Sequence, residues 1–555
     1  MPSPRPSSPQ ATPLTAVAAL VGGVLVGADR EVTGVSLASQ DVVPGDLYAA
    51  LPGANAHGAR YAAGAREAGA VAVLTDAAGV EALDADGVDL PRVVVADPRS
   101  LVGPAAALVY GTGDLHMRMY GVTGTNGKTT TAYLINSALT ALGHTTGLIG
   151  TVETRIGAER VKSVRTTPEA TVVHALLAVM TERQIDSCVM EVSSHALSQH
   201  RVDGVVYDVA LFTNLSQDHL DFHPTMRDYF LAKAALFTPE RARRGIICVD
   251  DEWGRELSTL ATVPVTTLTS LADVDADWRL VAGEHDPAEF TLSDGVTTLH
   301  LRSALPGDFN RVNTAMAALA LVAGGVDPQD AERALLADPH VPGRMERVVV
   351  GDYESSRVRD GVTDTAADAE AAAHTDAHAD TVPGAGLPMV VVDYAHTPDA
   401  VAVALKALRP ATTGTLVVVL GAGGDRDRGK RAAMGRAAAE GADVVVVTDD
   451  NPRSEPPEAI RAAVLEGARA AETAARLHDV GGRAAAIAEA VRAAHAAGPG
   501  SVVAIVGKGH ETGQEIAGTV HPFDDRAEAR QALEALLAEA AEAAQAAPTQ
   551  GGGAR

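Results

Sequence analysis

An α/β architecture built on more than one parallel sheet is what this sequence predicts, on three observations. Short β-branched runs alternate with Ala-rich helical stretches almost throughout its 555 residues, the pattern of parallel sheets covered by helices on both faces. The runs fall into two groups, one before about Asp251 and one after Pro388, which predicts two separate sheets. A smaller N-terminal unit up to about Asp114 makes a third domain, in keeping with roughly 150 residues per domain.

Residues 1–12 read as a disordered Pro/Ser tail. The apolar stretch Thr15 to Ala28 is too short to span a bilayer, contains Gly22, Gly23 and Gly27, and has only Arg5 as a leading positive charge. It runs directly into the strand-like REVTGVSLAS, so it is expected to be folded protein, and no membrane insertion is predicted. In the first group, MRMYGVTG, IDSCVMEVSS, VVYDVALFTNL and RGIICVDD are strands, with TAYLINSALTAL a helix between the first two. In the second, MVVVDYAH, GTLVVVLGAGG, ADVVVVTDDN and SVVAIVGKGH are strands. Residues 354–387, rich in Ala and Asp, lie between strand-like runs and read as a solvated, disordered insertion. His374 and His378 within it are four apart, but a mobile acidic loop supplies nothing to fix the rings on a metal. The chain ends in an Ala/Glu helix from about Ala529, followed by a disordered tail over 548–555. The domains are thus expected at 1–114, 115–342 and 343–555.

The formal charge is −26, from 45 Lys plus Arg against 71 Asp plus Glu. So acidic a surface, with no basic stripe in the sequence, repels nucleic-acid phosphates, and no nucleic-acid partner is expected. The only cysteines, Cys188 and Cys248, sit in apolar strand-like runs. Neither a disulfide framework nor a thiolate metal site is indicated, and a reducing, cytoplasmic setting fits.

The strongest local signal is GVTGTNGKTT, Gly121 to Thr130, after a strand and before a helix. Backbone N–H groups of such a loop curl around phosphate oxygens, Lys128 adds a point charge, and the Thr129 hydroxyl can ligate magnesium. The helix N-terminus adds positive potential. The usual spacing would put the first glycine at position 122, which is Val122, whereas this sequence has Gly124. A GTPase or motor loop is therefore a poor match. Downstream, Glu191 and His219 follow strands whose C-terminal ends are where α/β folds bind ligands. With Thr129 they could complete a magnesium site, although imidazole is an uncommon magnesium ligand.

In order along the chain stand GTNGKTT, EVSSHALSQHRV, FTNLSQDHLDFH, YFLAKAALF, DYAHTPDA, GAGGDRDRGKR, DDNPR and GKGHE. On these motifs the chain resembles the Mur ligase family, specifically its tripeptide-forming members, from about Val32 to Arg526. The resemblance implies a three-domain α/β architecture, with a central P-loop ATPase-like parallel sheet and a C-terminal Rossmann-like domain. It implies an ATP-dependent ligase of peptidoglycan synthesis that adds meso-diaminopimelate to UDP-N-acetylmuramoyl-L-alanyl-D-glutamate through an acyl phosphate. Two magnesium ions, a monomeric state and a cytoplasmic location come with it.

The residues carried over are these. Lys128, Glu191, His219 and Lys233 are catalytic, and Lys233 is carbamylated by carbon dioxide and joins Thr129, Glu191 and His219 at the metals. A cation about 4 Å from a divalent metal would be repelled by several kcal/mol at an effective dielectric of about 20, and a carbamate removes that conflict. Gly124, Thr125, Asn126, Gly127, Lys128, Thr129, Thr130, Asn313, Arg344 and Asp393 hold ATP. Leu37, Ser39, Ala54, Asn55 and Ala56 bind the UDP-sugar, although Ala38 and Gln40 depart from the common Asp-Ser-Arg pattern around Ser39. Thr166, Thr167, Ser193, Gln199 and Arg201 grip the muramoyl dipeptide, while Arg165 stands where some members have Asn. Arg426, Asp450, Asn451, Pro452, Arg453, Gly507 and Glu511 take diaminopimelate.

Arg453 can clasp a carboxylate with paired hydrogen bonds. Diaminopimelate has a second carboxylate and lysine does not, so a lysine-adding ligase of the same family is the alternative that Arg453 opposes. A P-loop switch, and a binding subunit that has lost catalysis, are opposed by the downstream motifs and by the intact set Lys128, Glu191, His219 and Lys233.

Overall fold

The computed structural model describes residues 4–53, 55–336, 339–350 and 387–546. Ala54, nearly all of the 354–387 insertion and the 548–555 tail lie outside them. The chain divides into two compact units, Met1–Pro339 and His340–Arg555.

The first unit holds two large sheets. In its N-terminal part the strands Gly34–Ser36, Asp46–Ala49, Ala72–Thr75 and Arg92–Val94 run parallel, with Val24–Val26 antiparallel on the edge. The apolar run at Thr15 forms the helix Leu14–Val21, which buries Leu14, Val17, Ala18 and Val21 against this sheet. That is the i, i+3, i+4, i+7 spacing of an amphipathic helix, and Gly22, at φ 62°, closes it in the left-handed region. Among the described residues no helix is long and apolar enough to cross a membrane.

The expected disordered tail departs from the structure at Arg5. Its guanidinium donates to Asp46 Oδ1 at 2.6 Å and to Ser36 Oγ at 2.7 Å. Asp46 is fully buried, so the segment is held by a charge that needs a counter-ion. Pro and Ser content alone does not reveal this.

Seven strands of the second, 11-stranded sheet run parallel in the order Thr146–Ile149, Ser187–Glu191, Arg118–Thr123, Val209–Phe212, Gly245–Cys248, Val265–Thr269 and Trp278–Ala282. All four strands predicted in the first group are among them. Helices Lys128–Ala141 and Ala170–Glu182 pack on this sheet, and Val209–Phe212 is buried at every position. Burial on both faces explains why these runs read as continuous rather than alternating hydrophobicity. Cys188 and Cys248 are buried free thiols within it.

The second unit holds the second predicted group. Met389–Asp393, Val502–Val506, Leu416–Leu420, Val444–Val447 and Arg476–Asp479 run parallel in that order, with Glu346–Val348 antiparallel on one edge. The C-terminal helix begins at Asp525 and packs Ala529, Leu533 and Leu536 into this core.

Candidate active site

The loop between the strand Arg118–Thr123 and the helix Lys128–Ala141 sits at the C-terminal edge of the parallel sheet. Gly127 caps the helix at φ 85°, and a side chain there would collide with Asn313 Oδ1. The next strand in space, Val209–Phe212, supplies the loop's anchors: Thr213 Oγ1 donates to Asn126 O at 2.6 Å, and Asn126 N donates to Asn214 Oδ1 at 2.9 Å. Thr125 Oγ1 lies 3.1 Å from the Tyr229 hydroxyl. Lys128 Nζ folds back to donate to Gly124 O at 3.0 Å and Thr125 O at 2.8 Å. Thr130 is buried on the same first helical turn.

Glu191 ends the neighbouring strand and is fully buried. Its carboxylate accepts from Thr129 Oγ1 at 2.9 Å, Thr151 N at 2.8 Å and Thr151 Oγ1 at 2.9 Å. A hydroxyl and a carboxylate already in contact fit a hard divalent cation. His219 lies in the loop after the strand Val209–Phe212. It adopts φ 55°, lies 3.4 Å from Asp218 Oδ2 and meets the His195 ring edge-on at 4.8 Å. Burial lowers its pKa to about 4, so the ring is a neutral nitrogen donor at physiological pH. Among the described residues no three His, Cys, Asp or Glu side chains converge into a preformed metal cluster.

Lys233, on the helix Met226–Ala234, is 1% exposed. Its Nζ donates to Gly124 O at 2.7 Å and lies 4.5 Å from the centre of the Tyr229 ring. Burial first, and Lys128 second, hold its pKa well below the usual lysine range. Asn313 lies beside the phosphate loop on the helix Asp308–Ala323, where it accepts from Thr131 Oγ1 at 3.4 Å and donates to Asn310 Oδ1 at 3.0 Å.

A second cluster adjoins Glu191. Thr167 Oγ1 donates to Glu191 O at 2.8 Å and accepts from Ser193 N at 3.1 Å, and Thr166 Oγ1 lies 3.0 Å from Thr151 Oγ1. Arg201 donates to Gln199 Oε1 at 2.5 Å and to Thr167 O at 3.3 Å. Three guanidiniums, those of Arg99, Arg165 and Arg201, lie 2.9, 2.5 and 3.1 Å from the single carboxylate of Glu169. One negative charge against three positive ones leaves a surplus suited to an anionic ligand. In the N-terminal sheet, Leu37 and Ser39 follow the strand Gly34–Ser36, while Asn55 and Ala56 follow its parallel neighbour Asp46–Ala49. Both predicted segments therefore leave the same sheet edge.

In the second unit, Arg344 lies over the Tyr394 ring, 4.3 Å from its centre. Asp393 accepts from Met345 N and Ala395 N, each at 2.8 Å, and burial raises its pKa. The DDNPR segment follows the strand Val444–Val447. Arg453, at φ 53°, donates to Gly424 O at 2.7 Å and lies 3.3 Å from Glu515 Oε2. Arg426 is exposed beside Gly423, which Arg453 also borders. Pro452 packs against Gly424, and a side chain on Gly507 would come within 2.6 Å of Asp450 Oδ2. Asn451 Nδ2 donates to Glu511 Oε2 at 2.9 Å. All seven residues expected to take the amino acid thus gather at one sheet edge.

Comparison with known proteins matches three stretches: the Mur ligase family catalytic domain at 31–110, the Mur ligase middle domain at 122–322 and the Mur ligase glutamate ligase domain at 379–509. The UDP-N-acetylmuramoyl-L-alanyl-D-glutamate–2,6-diaminopimelate ligase of Streptomyces avermitilis is 48% identical, over 96% of this chain and 98% of its own. The chain belongs to the Mur ligase family. A UDP-N-acetylmuramyl-tripeptide synthetase of Leifsonia xyli is 46% identical over 95% of this chain and 97% of its own. A solved UDP-N-acetylmuramoyl-L-alanyl-D-glutamate–2,6-diaminopimelate ligase superposes with TM-score 0.62 at 29% identity, covering 95% of this chain and 99% of that one. MurF from Acinetobacter baumannii shares the fold, with TM-score 0.60 at 16% identity and 96% and 99% coverage.

As a Mur ligase, the chain is an ATP-dependent, amide-bond-forming enzyme with the three-domain α/β architecture of that family. Several residues at this Mur ligase site were not singled out in the sequence. Thr151 follows a strand adjacent to that of Glu191, so its strand-end position was an available signal. Glu169 and Arg99 carry no motif. Glu515 lies in a hairpin, Gly513–Ile516 with Thr519–Pro522, that only the fold brings onto Arg453.

Proposed function

We propose that this ligase adds meso-2,6-diaminopimelate to UDP-N-acetylmuramoyl-L-alanyl-D-glutamate, in the cytoplasm and as a monomer, within peptidoglycan synthesis. Residues 1–114 take the UDP-sugar, 115–342 the ATP and 343–555 the incoming amino acid. The observation that carries the choice of amino acid is Arg453, a partly buried guanidinium fixed by Gly424 O at 2.7 Å. An acceptor with a distal carboxylate gives that guanidinium a partner, and lysine does not.

Chemically, the D-glutamyl side-chain carboxylate attacks the γ-phosphorus of ATP and ADP departs. The amine of the acceptor then adds to the acyl carbon, and the tetrahedral species expels phosphate as the amide forms. The loop N–H groups and Lys128 orient the transferring phosphoryl and offset its charge. The surplus of arginines at Glu169 favours the anionic dipeptide substrate, and Thr167 and Ser193 fix its approach beside Glu191. Thr129 and Glu191, with His219 and a carbamylated Lys233, would hold magnesium, which would supply positive charge against the phosphate oxygens. Lys233 suits carbamylation because only a neutral amine combines with carbon dioxide, and burial favours that form. A carbamate also keeps one N–H for Gly124 O.

The test is phosphate release. It is expected to require ATP, the UDP-muramoyl dipeptide and meso-diaminopimelate together. Equal turnover with lysine in place of diaminopimelate would sink the choice of acceptor, and a preference for lysine would identify the lysine-adding type.

A further inference from the structure

Lys508 follows the strand Val502–Val506 and is 0% exposed. Its Nζ donates to Asn451 Oδ1 at 3.0 Å and to Glu511 Oε2 at 3.1 Å. Asn451 Nδ2 reaches the same Glu511 oxygen at 2.9 Å. Asn451 Oδ1 in turn accepts from Glu515 N at 3.0 Å, tying this triangle to the hairpin that carries Glu515.

Burying an ammonium costs several kcal/mol even when it is paired, and an apolar side chain of similar volume packs such a position as well. Arg483, buried as deeply in the same unit, is accounted for by stability, because Asp525 is equally buried and answers it with two hydrogen bonds of 2.7 Å. Lys508 differs. Its carboxylate partner, Glu511, is 34% exposed, and its other partner, Asn451, belongs to the DDNPR segment. Two donors converging on Oε2 fix the plane of the Glu511 carboxylate and satisfy it from below. A carboxylate held in one orientation and about one-third exposed can receive an ammonium group.

We propose that Lys508 is a positioning residue of the amino-acid pocket: through Asn451 and Glu511 it presents a fixed carboxylate to the ammonium of the acceptor's zwitterionic end. This rests on the reading above that the pocket takes a diamino acid. Lys508 itself does not touch the acceptor.

The experiment measures steady-state kinetics of the full chain and its Lys508→Met variant, whose folding is checked by thermal melting. The Michaelis constant for diaminopimelate is expected to rise about tenfold or more, with those for ATP and the UDP-muramoyl dipeptide within about threefold. In Glu511→Gln, adding Lys508→Met is expected to raise the constant little further, because one residue acts through the other. Equal rises for all three substrates, no rise at all, or additive effects in the double variant would overturn the proposal. Should Lys508→Met fail to fold, Lys508→Gln replaces it, and failure of both assigns Lys508 to stability and ends the proposal. Wild-type turnover with each diamino acid separates the two claims. If another amino acid is preferred, the substrate reading fails, and the same variants measured with that amino acid still decide the role of Lys508.

Discussion

Lys128 and Lys233 donate to one and the same acceptor, the carbonyl oxygen of Gly124, at 3.0 and 2.7 Å. Two ammonium groups converging on one carbonyl repel each other, and the buried one gives way. Burial and Lys128 together hold the Lys233 pKa well below the usual lysine range. The phosphate loop therefore meets two lysines at one carbonyl, of which the buried Lys233 is suited to be a neutral amine. The motif match assigns Lys128 to ATP and Lys233 to the metals, and the burial of Lys233 together with the shared carbonyl explains why its amine is the one held toward the neutral form.

Carbon dioxide is accordingly expected to matter. Depleting carbon dioxide and bicarbonate from the assay should lower ligase activity, and adding bicarbonate should restore it. Lys233→Met should lose about 10- to 100-fold in activity, the range for groups that set metal ligation, with no bicarbonate rescue. Native mass measurement of the active enzyme should show one added carbon dioxide. Full activity in a carbon dioxide-free enzyme of unmodified mass would refute the carbamate.

Most of the scaffold was legible because parallel strands buried on both faces leave an unmistakable record, as Val444–Val447 does. Phosphate-loop residues were legible for a related reason: Gly127 and Lys128 must stand next to one another to work. Partners brought in from distant segments were not. Glu515 reaches Arg453 across 62 positions of sequence by way of a hairpin with no motif of its own, and Arg5 reaches Asp46 from a Pro/Ser-rich stretch that reads as tail. Neither spacing nor composition encodes such pairings. They depend on where the folded sheet places its edges.

His174 gives the protein a defined acid sensitivity. Its ring is fully buried, between Thr112 Oγ1 at 2.6 Å and Asp203 O at 3.0 Å, and burial lowers its pKa from 6.5 to about 4. The folded pKa is the lower one, so as pH falls the unfolded chain takes up the proton first. Stability from this residue is complete above about pH 6.5 and declines as pH falls toward 4, by on the order of 3 kcal/mol. His174→Gln should be less stable at neutral pH and show a shallower loss between pH 6.5 and 4 in denaturant titrations. Parallel pH curves for the two proteins would exclude His174 as the source.

Arg5 is expected to be a stability residue. Removing it leaves the fully buried Asp46 carboxylate without its counter-ion, which costs about 3 to 5 kcal/mol. Arg5→Ala should therefore lower the unfolding free energy by that order, and Asp46→Asn combined with it should recover part of the loss. The measurement is urea unfolding of the single and double variants. An Arg5→Ala protein as stable as wild type would mean that the segment contributes nothing to the fold.

Arg453 and Glu515 should separate affinity from selectivity. The guanidinium, 24% exposed, is braced by Gly424 O at 2.7 Å and by Glu515 Oε2 at 3.3 Å, while its backbone is pinned to the same hairpin by a 3.0 Å bond to Glu515 O. On the proposed reading, Arg453→Ala removes the partner of the acceptor's distal carboxylate, a loss of about 2 to 5 kcal/mol. The Michaelis constant for diaminopimelate should rise tens to thousands of fold while that for ATP changes little. Arg453→Lys keeps the charge but loses the planar fork, so it should recover only part of the affinity. Glu515→Gln keeps the backbone bonds and frees the guanidinium of a competing carboxylate. It should bind diaminopimelate at least as tightly as wild type, but with discrimination against lysine reduced because the fork is less firmly aimed. Comparable changes in the diaminopimelate and ATP constants of Arg453→Ala would show that the arginine supports the loop rather than the acceptor.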